Sequence, residues 1–129
     1  MLDQWIDTVC RAAGWPRPAQ DARGHYRFRV DGGLNVDASS PDGRTLRLSA
    51  DLARMAPGAG SDALLRKVGL AALSRAASDT GVVSLDTRRG MLCYSAEHLL
   101  GIMRASEMHL ALQHFLAELD FWDDLCKTG

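Results

Sequence analysis

No stretch of this 129-residue chain is apolar for long enough to cross a membrane, and neither sign of charge dominates, with 15 Lys and Arg against 16 Asp and Glu. The first absence sets aside a membrane-spanning helix. The second removes the basic footprint by which proteins hold nucleic acid. The opening Met1-Leu2-Asp3-Gln4-Trp5 lacks the basic and apolar regions of a signal peptide, so the chain is expected to stay in the cytoplasm. Cysteine is scarce: Cys10, Cys93 and Cys126 are far apart and odd in number. That pattern fits reduced thiols packed beside apolar neighbours better than a disulfide framework.

Catalytic signatures are also missing. His109 and His114 are five apart on a predicted helix, roughly 140° around its axis, which matches neither helical metal-site spacing. His25 and His98 stand alone in sequence. No cysteine pair has the spacing of a zinc knuckle or redox motif. Asp31-Gly32-Gly33 lacks the lysine and the strand-to-helix context of a phosphate loop and reads as a hairpin turn. No Gly-x-Ser-x-Gly elbow occurs. Carboxylates such as Asp120 and Asp124 read as a solvated acidic face. These absences give no support to an enzyme, a metal centre or a cofactor site.

What is present is a globular composition, 47% hydrophobic and 24% charged, long enough to bury a core as one domain over 1–129. Trp5, Ile6, Val9, Cys10 and Ala13 recur at helical spacing, and Gly14 with Pro16 stops that helix. Tyr26, Phe28 and Val30 alternate with Arg27 and Arg29, and Leu34 and Val36 continue the alternation beyond a turn. After Pro41-Asp42-Gly43, residues Leu46, Leu48, Ala50 and Leu52 predict a third strand.

Pro57, Gly58 and Gly60 then break the chain, and Ser61 or Asp62 is placed to cap a helix over 62–77. That helix carries more apolar surface than one contact needs. Its small residues Gly69, Ala72 and Ala76 align on one line, to meet a symmetric partner or to pack tightly under strands while the large residues cover the sheet. Val83 and Leu85 predict a fourth strand, and 91–95 a fifth with Leu92 and Tyr94 on one face. Residues 96–105 read equally as more strand or as a helical turn. From Ser106, the stripe of Met108, Leu112, Phe115, Leu119, Trp122 and Cys126 predicts a long closing helix. Acidic residues cluster near its end, where the helix dipole disfavours them.

Two surface features point to binding. Arg27, Arg29 and Arg47 fall on the outward positions of their strands, ordinary for such positions but also suited to reading an acidic or polar segment. Trp5, Trp15 and Trp122 suit a core first and a binding surface second.

The order of elements resembles the class I chaperones of type III secretion effectors, the Tir chaperone-like family. The local matches run through nearly the whole chain. They are an opening amphipathic helix over 2–14, a hairpin over 28–36, a strand over 46–50 and a leucine–alanine helix after a Pro/Gly break. Val83-Ser84-Leu85-Asp86, a strand over 91–94 and a closing helix with Leu112, Phe115, Leu119 and Trp122 complete them.

The resemblance implies an α+β fold, helix-β-β-β-helix-β-β-helix, with an antiparallel sheet of about five strands carrying the helices. It also implies a homodimeric chaperone of the bacterial cytoplasm with a role in virulence. Such a chaperone needs no cofactor and no catalysis; it binds the N-terminal segment of a secreted effector in extended form. An ATPase of the secretion apparatus is a further implied partner. The expected dimer interface is Leu65, Val68, Gly69, Ala72, Leu73, Ala76 and Val83. Trp5, Val9, Phe28, Val30 and Val36 are expected at or near the partner-binding groove. Two other readings stay open: a regulatory protein of the same fold that sequesters a secretion regulator, and a small-molecule-binding α+β domain, which requires an enclosed polar pocket.

Overall fold

A computed structural model describes residues 2–30, 33–76 and 81–127. The element order is α1 (Leu2–Ala13), β1 (Tyr26–Arg29), β2 (Asn35–Ser39), β3 (Thr45–Arg54), α2 (Ala59–Arg75), β4 (Val82–Asp86), β5 (Met91–Leu99), a 3-10 turn (Leu100–Ile102) and α3 (Ala105–Lys127). The five strands form one antiparallel sheet in the order β1-β2-β3-β5-β4. This is the α+β architecture that the periodicities and the resemblance imply.

Strand alternation places the core. Tyr26 and Phe28, Val36 and Ala38, Leu46, Leu48 and Ala50, and Leu92, Tyr94 and Ala96 are all buried on one face of the sheet. The other face carries Arg27, Asp37, Arg47, Ser49, Asp51 and Glu97. The apolar face is covered by α1 through Trp5, Ile6, Val9 and Cys10, and by α3 through Leu112, Phe115, Leu119 and Trp122. Tyr94 stacks on Phe115 with ring centroids 5.1 Å apart and tilts against Trp122 at 6.4 Å. Burying each such large side chain contributes roughly 1.5–3 kcal/mol.

Several local expectations resolve. Strand β5 takes up part of the ambiguous interval and runs to Leu99, because β3 offers it partners back to Thr45. The 3-10 turn takes the next residues, with the Leu100 amide donating to the Arg44 carbonyl at 2.8 Å. Helix α2 begins before the expected cap: the first turn opens at Ala59 after Gly58, and the Ser61 hydroxyl instead donates backward to the Ala56 carbonyl. The Asp31-Gly32 turn and the end of the middle helix over 77–80 lie outside the described residues. At the next turn the Asp42 carboxylate accepts amides of Arg44 at 2.9 Å and Thr45 at 2.7 Å, which holds its pKa below the usual carboxylate range.

Gly81 is required by packing. A Cβ there would collide with the ring and hydroxyl of Tyr94, which is 1% exposed and stacked on Phe115. Gly81→Val is therefore expected to cost about 1–3 kcal/mol by overpacking, read as a lower urea midpoint with an unchanged slope.

Candidate functional site

Among the described residues, apolar side chains remain outside the core in three places. The first is a slot of about 430 Å³ between the β1–β2 hairpin and α3, lined by Trp15, Arg29, Val30, Leu34, Leu116, Ala117, Leu119 and Asp120. Local chemistry builds it. Gly14, at φ 70°, turns the chain out of α1, and the Trp15 amide donates to the Cys10 carbonyl at 2.9 Å. The Trp15 ring then rests against Phe28 with centroids 5.9 Å apart. Val30 and Leu34 are drawn together by an amide-to-carbonyl bond of 2.9 Å at the hairpin end. On the helix side, Leu116 lies off the core stripe and faces the slot.

The second place comprises apolar side chains exposed on α2 and on the edge strand β4. Leu65, Leu70 and Leu73 are 38%, 65% and 78% exposed, and Val82 and Leu85 are 61% and 41% exposed. Helix α2 presents its three leucines because its other face is committed. Val68 is buried, and Leu64, Ala71 and Ala72 pack against the core. Across the helix pair, Arg75 grips Glu118 of α3 through Nη2 at 2.6 Å and 2.7 Å and Nε at 3.1 Å. The Lys67 ammonium donates to the Leu125 carbonyl at 3.1 Å. The expectation that the large residues of this helix cover the sheet therefore fails for three of its leucines. Small Ala71 and Ala72 sit inward and let α2 approach closely, and the leucines take the outward face.

Of the residues expected at the dimer interface, Leu65, Gly69, Leu73 and Ala76 are exposed, Val68 is buried, and Ala72 and Val83 are half-buried against the core. Of those expected at the groove, Val30 lines the slot, while Trp5, Val9, Phe28 and Val36 are core residues. Leu34 and Leu116 of the slot, and Leu70 and Leu85 of the apolar surface, were not singled out by sequence. Apolar residues at strand and helix positions carry no mark of which way they face. Leu99, Ile102 and Leu110 form a third, more open apolar depression between β5 and α3, beside His98 and His114.

The outward sheet face is polar. Arg47 is paired with Glu97 at 2.7 Å, and the His25 Nδ1 with Asp37 at 2.9 Å. Arg89 bridges Asp51 and Asp86, each at 2.8 Å, tying the β4–β5 turn to β3. The Cys93 thiol donates to Asp51 at 3.3 Å, and burial with that carboxylate pushes its pKa up to about 11, the opposite of an activated nucleophile. All three cysteines are free; Cys10 is buried, but Cys93 and Cys126 are only half-buried. Among the described residues no cluster of His, Cys, Asp and Glu is arranged to hold a metal ion, and no helix is long and apolar enough to cross a membrane.

Comparison with known structures agrees with this architecture. A chain of the HopA1–SchA chaperone–effector complex superposes with a TM-score of 0.70 at 15% identity, covering 95% of this chain and 92% of the other. A chain of the ExsC–ExsE complex gives 0.70 at 17% identity, covering 98% and 96%. The Yersinia pestis type III secretion chaperone SycH in complex with a fragment of YscM2 gives 0.64 at 9% identity, covering 95% and 99%. No curated protein sequence matches significantly. Residues 5–123, nearly the whole chain and the entire set of elements from α1 into α3, match the Tir chaperone protein (CesT) family, and the chain belongs to that family.

Proposed function

We propose that this protein is a type III secretion chaperone of the bacterial cytoplasm. It works as a homodimer that binds the N-terminal segment of a cognate effector in extended form and keeps it competent for secretion. The observation that carries this reading is the set of exposed leucines on α2, with Val82 and Leu85 exposed on the two faces of the edge strand β4, all outside a core that is already closed. Exposed large apolar side chains concentrated in this way mark a protein-binding site. A two-fold contact covers it with its own copy. The slot beside the β1–β2 hairpin remains open for an extended segment, whose backbone adds to a strand edge while its side chains enter apolar recesses.

Family membership supports the chaperone role, and the similar complexes named above are chaperone–effector pairs in part. The role requires binding and release, not catalysis, and an ATPase of the secretion apparatus is the natural recipient of the loaded complex. Pull-down from the native cell lysate followed by mass spectrometry tests the reading. The expected result is a secreted protein bound through its N-terminal region. A transcriptional regulator recovered without any secreted protein overturns it in favour of a sequestering regulator of the same fold.

A further inference from the structure

We propose that Arg29 and Asp120 make the slot selective for a segment in which a large apolar residue is flanked by one acidic and one basic side chain. This rests on the slot being the docking place of a partner segment. The three arginines expected on outward strand positions have different fates in the structure. Arg47 is neutralised by Glu97. Arg27 lies opposite Asp37 on the outward sheet face. Arg29, at the end of β1, lines the slot instead.

The opposing wall carries the opposite charge. Asp120 projects from α3 into the same slot, beside Leu116 and Leu119. Among the described residues neither Arg29 nor Asp120 has an ion pair, whereas Glu118 and Asp123 on α3 do. Lys127, the basic residue of the last helical turn, is taken by Asp123 at 2.7 Å. Among the described residues Asp120 thus stands on the slot side of α3 without an ion-pair partner.

An apolar floor alone discriminates poorly among segments, because Leu, Ile, Met and Phe fill it comparably. Opposite charges on two walls add discrimination by repulsion as well as attraction: a doubly acidic flank meets Asp120, and a doubly basic flank meets Arg29. The occupant is therefore the extended effector segment with mixed flanking charge, and the two residues set its specificity without supplying most of its affinity.

The test uses the full chain and synthetic peptides Gly-Ser-X-Leu-Z-Ser-Gly, with X and Z drawn from Glu, Lys and Gln. Binding is followed by NMR at the Trp15 indole. The wild type is expected to bind the Glu/Lys peptides roughly fivefold more tightly than Glu/Glu, Lys/Lys or Gln/Gln, the scale of two partly exposed ion pairs. Arg29→Glu is expected to shift the preference to Lys/Lys, and Asp120→Lys to Glu/Glu. Both positions are exposed, so both variants should retain the wild-type circular dichroism spectrum. A rank order unchanged by either substitution, or no peptide-dependent shift at Trp15, overturns the inference. Either result leaves standing an effector captured by pull-down, which tests the chaperone role separately.

Discussion

Leu73→Asp is expected to turn the protein into a monomer, read directly as half the mass in light scattering. Leu73 is 78% exposed on α2, with Leu65, Leu70, Val82 and Leu85 exposed on the same helix and the neighbouring edge strand. At a two-fold contact each substitution acts twice. Losing the burial of one leucine and leaving a carboxylate against apolar surface costs roughly 2 kcal/mol per copy, so about 4 kcal/mol in all, a thousandfold in dissociation constant. The fold should survive, because Leu73 takes no part in the core. Leu110→Asp, at a residue 59% exposed on α3, is the matched control and should leave the mass unchanged. A dimer that persists in Leu73→Asp removes α2 from the interface. Ala72→Arg is a poorer test: Ala72 packs against the core, so that variant reports the seating of α2 as well as association.

Arg75→Ala is expected to cost about 2–4 kcal/mol of stability, measured by urea unfolding. The Glu118 side chain is only 12% exposed and accepts three bonds from the Arg75 guanidinium, which also lies 3.8 Å from the centre of the Phe121 ring. Removing the arginine leaves a desolvated carboxylate without that guanidinium, and the desolvation cost then stands uncompensated. Replacing both partners with apolar residues of similar size, Arg75→Met with Glu118→Leu, should recover most of the loss. The arginine also anchors the last turn of α2, so Arg75→Ala should weaken association alongside stability. A variant within about 0.5 kcal/mol of wild type would mean that the pair does not hold α2 on α3.

Most of the architecture is legible in the residues because two periods do the work. Alternation at Tyr26–Phe28, Leu46–Leu48–Ala50 and Leu92–Tyr94 places three strands on one core, and the stripe from Met108 to Cys126 places α3 over them. What sequence leaves open is direction. Helix α2 is apolar on both sides, and its inward face is fixed only by distant partners, among them Glu118, which Arg75 reaches across 43 positions. The length of β5 likewise depends on β3, whose Thr45 pairs with Leu99. The slot is only partly visible: Trp15 stands out as an aromatic, but Leu34 and Leu116 look like any other core leucine until the hairpin and helix are brought together. The same holds for Trp5, Val9, Phe28 and Val36, which have groove chemistry and core positions.

The central claim is that this protein holds another chain in extended form, on a dimer closed by α2 and β4. Hydrogen exchange on the copurified complex, with its mass from light scattering, tests it most directly. Two copies of this protein with one partner chain are expected. Protection should appear in this protein at the slot and in the partner over an N-terminal segment, with the rest of that region exchanging freely. A single copy of this protein in the complex, or a partner protected throughout as a folded domain, would contradict it.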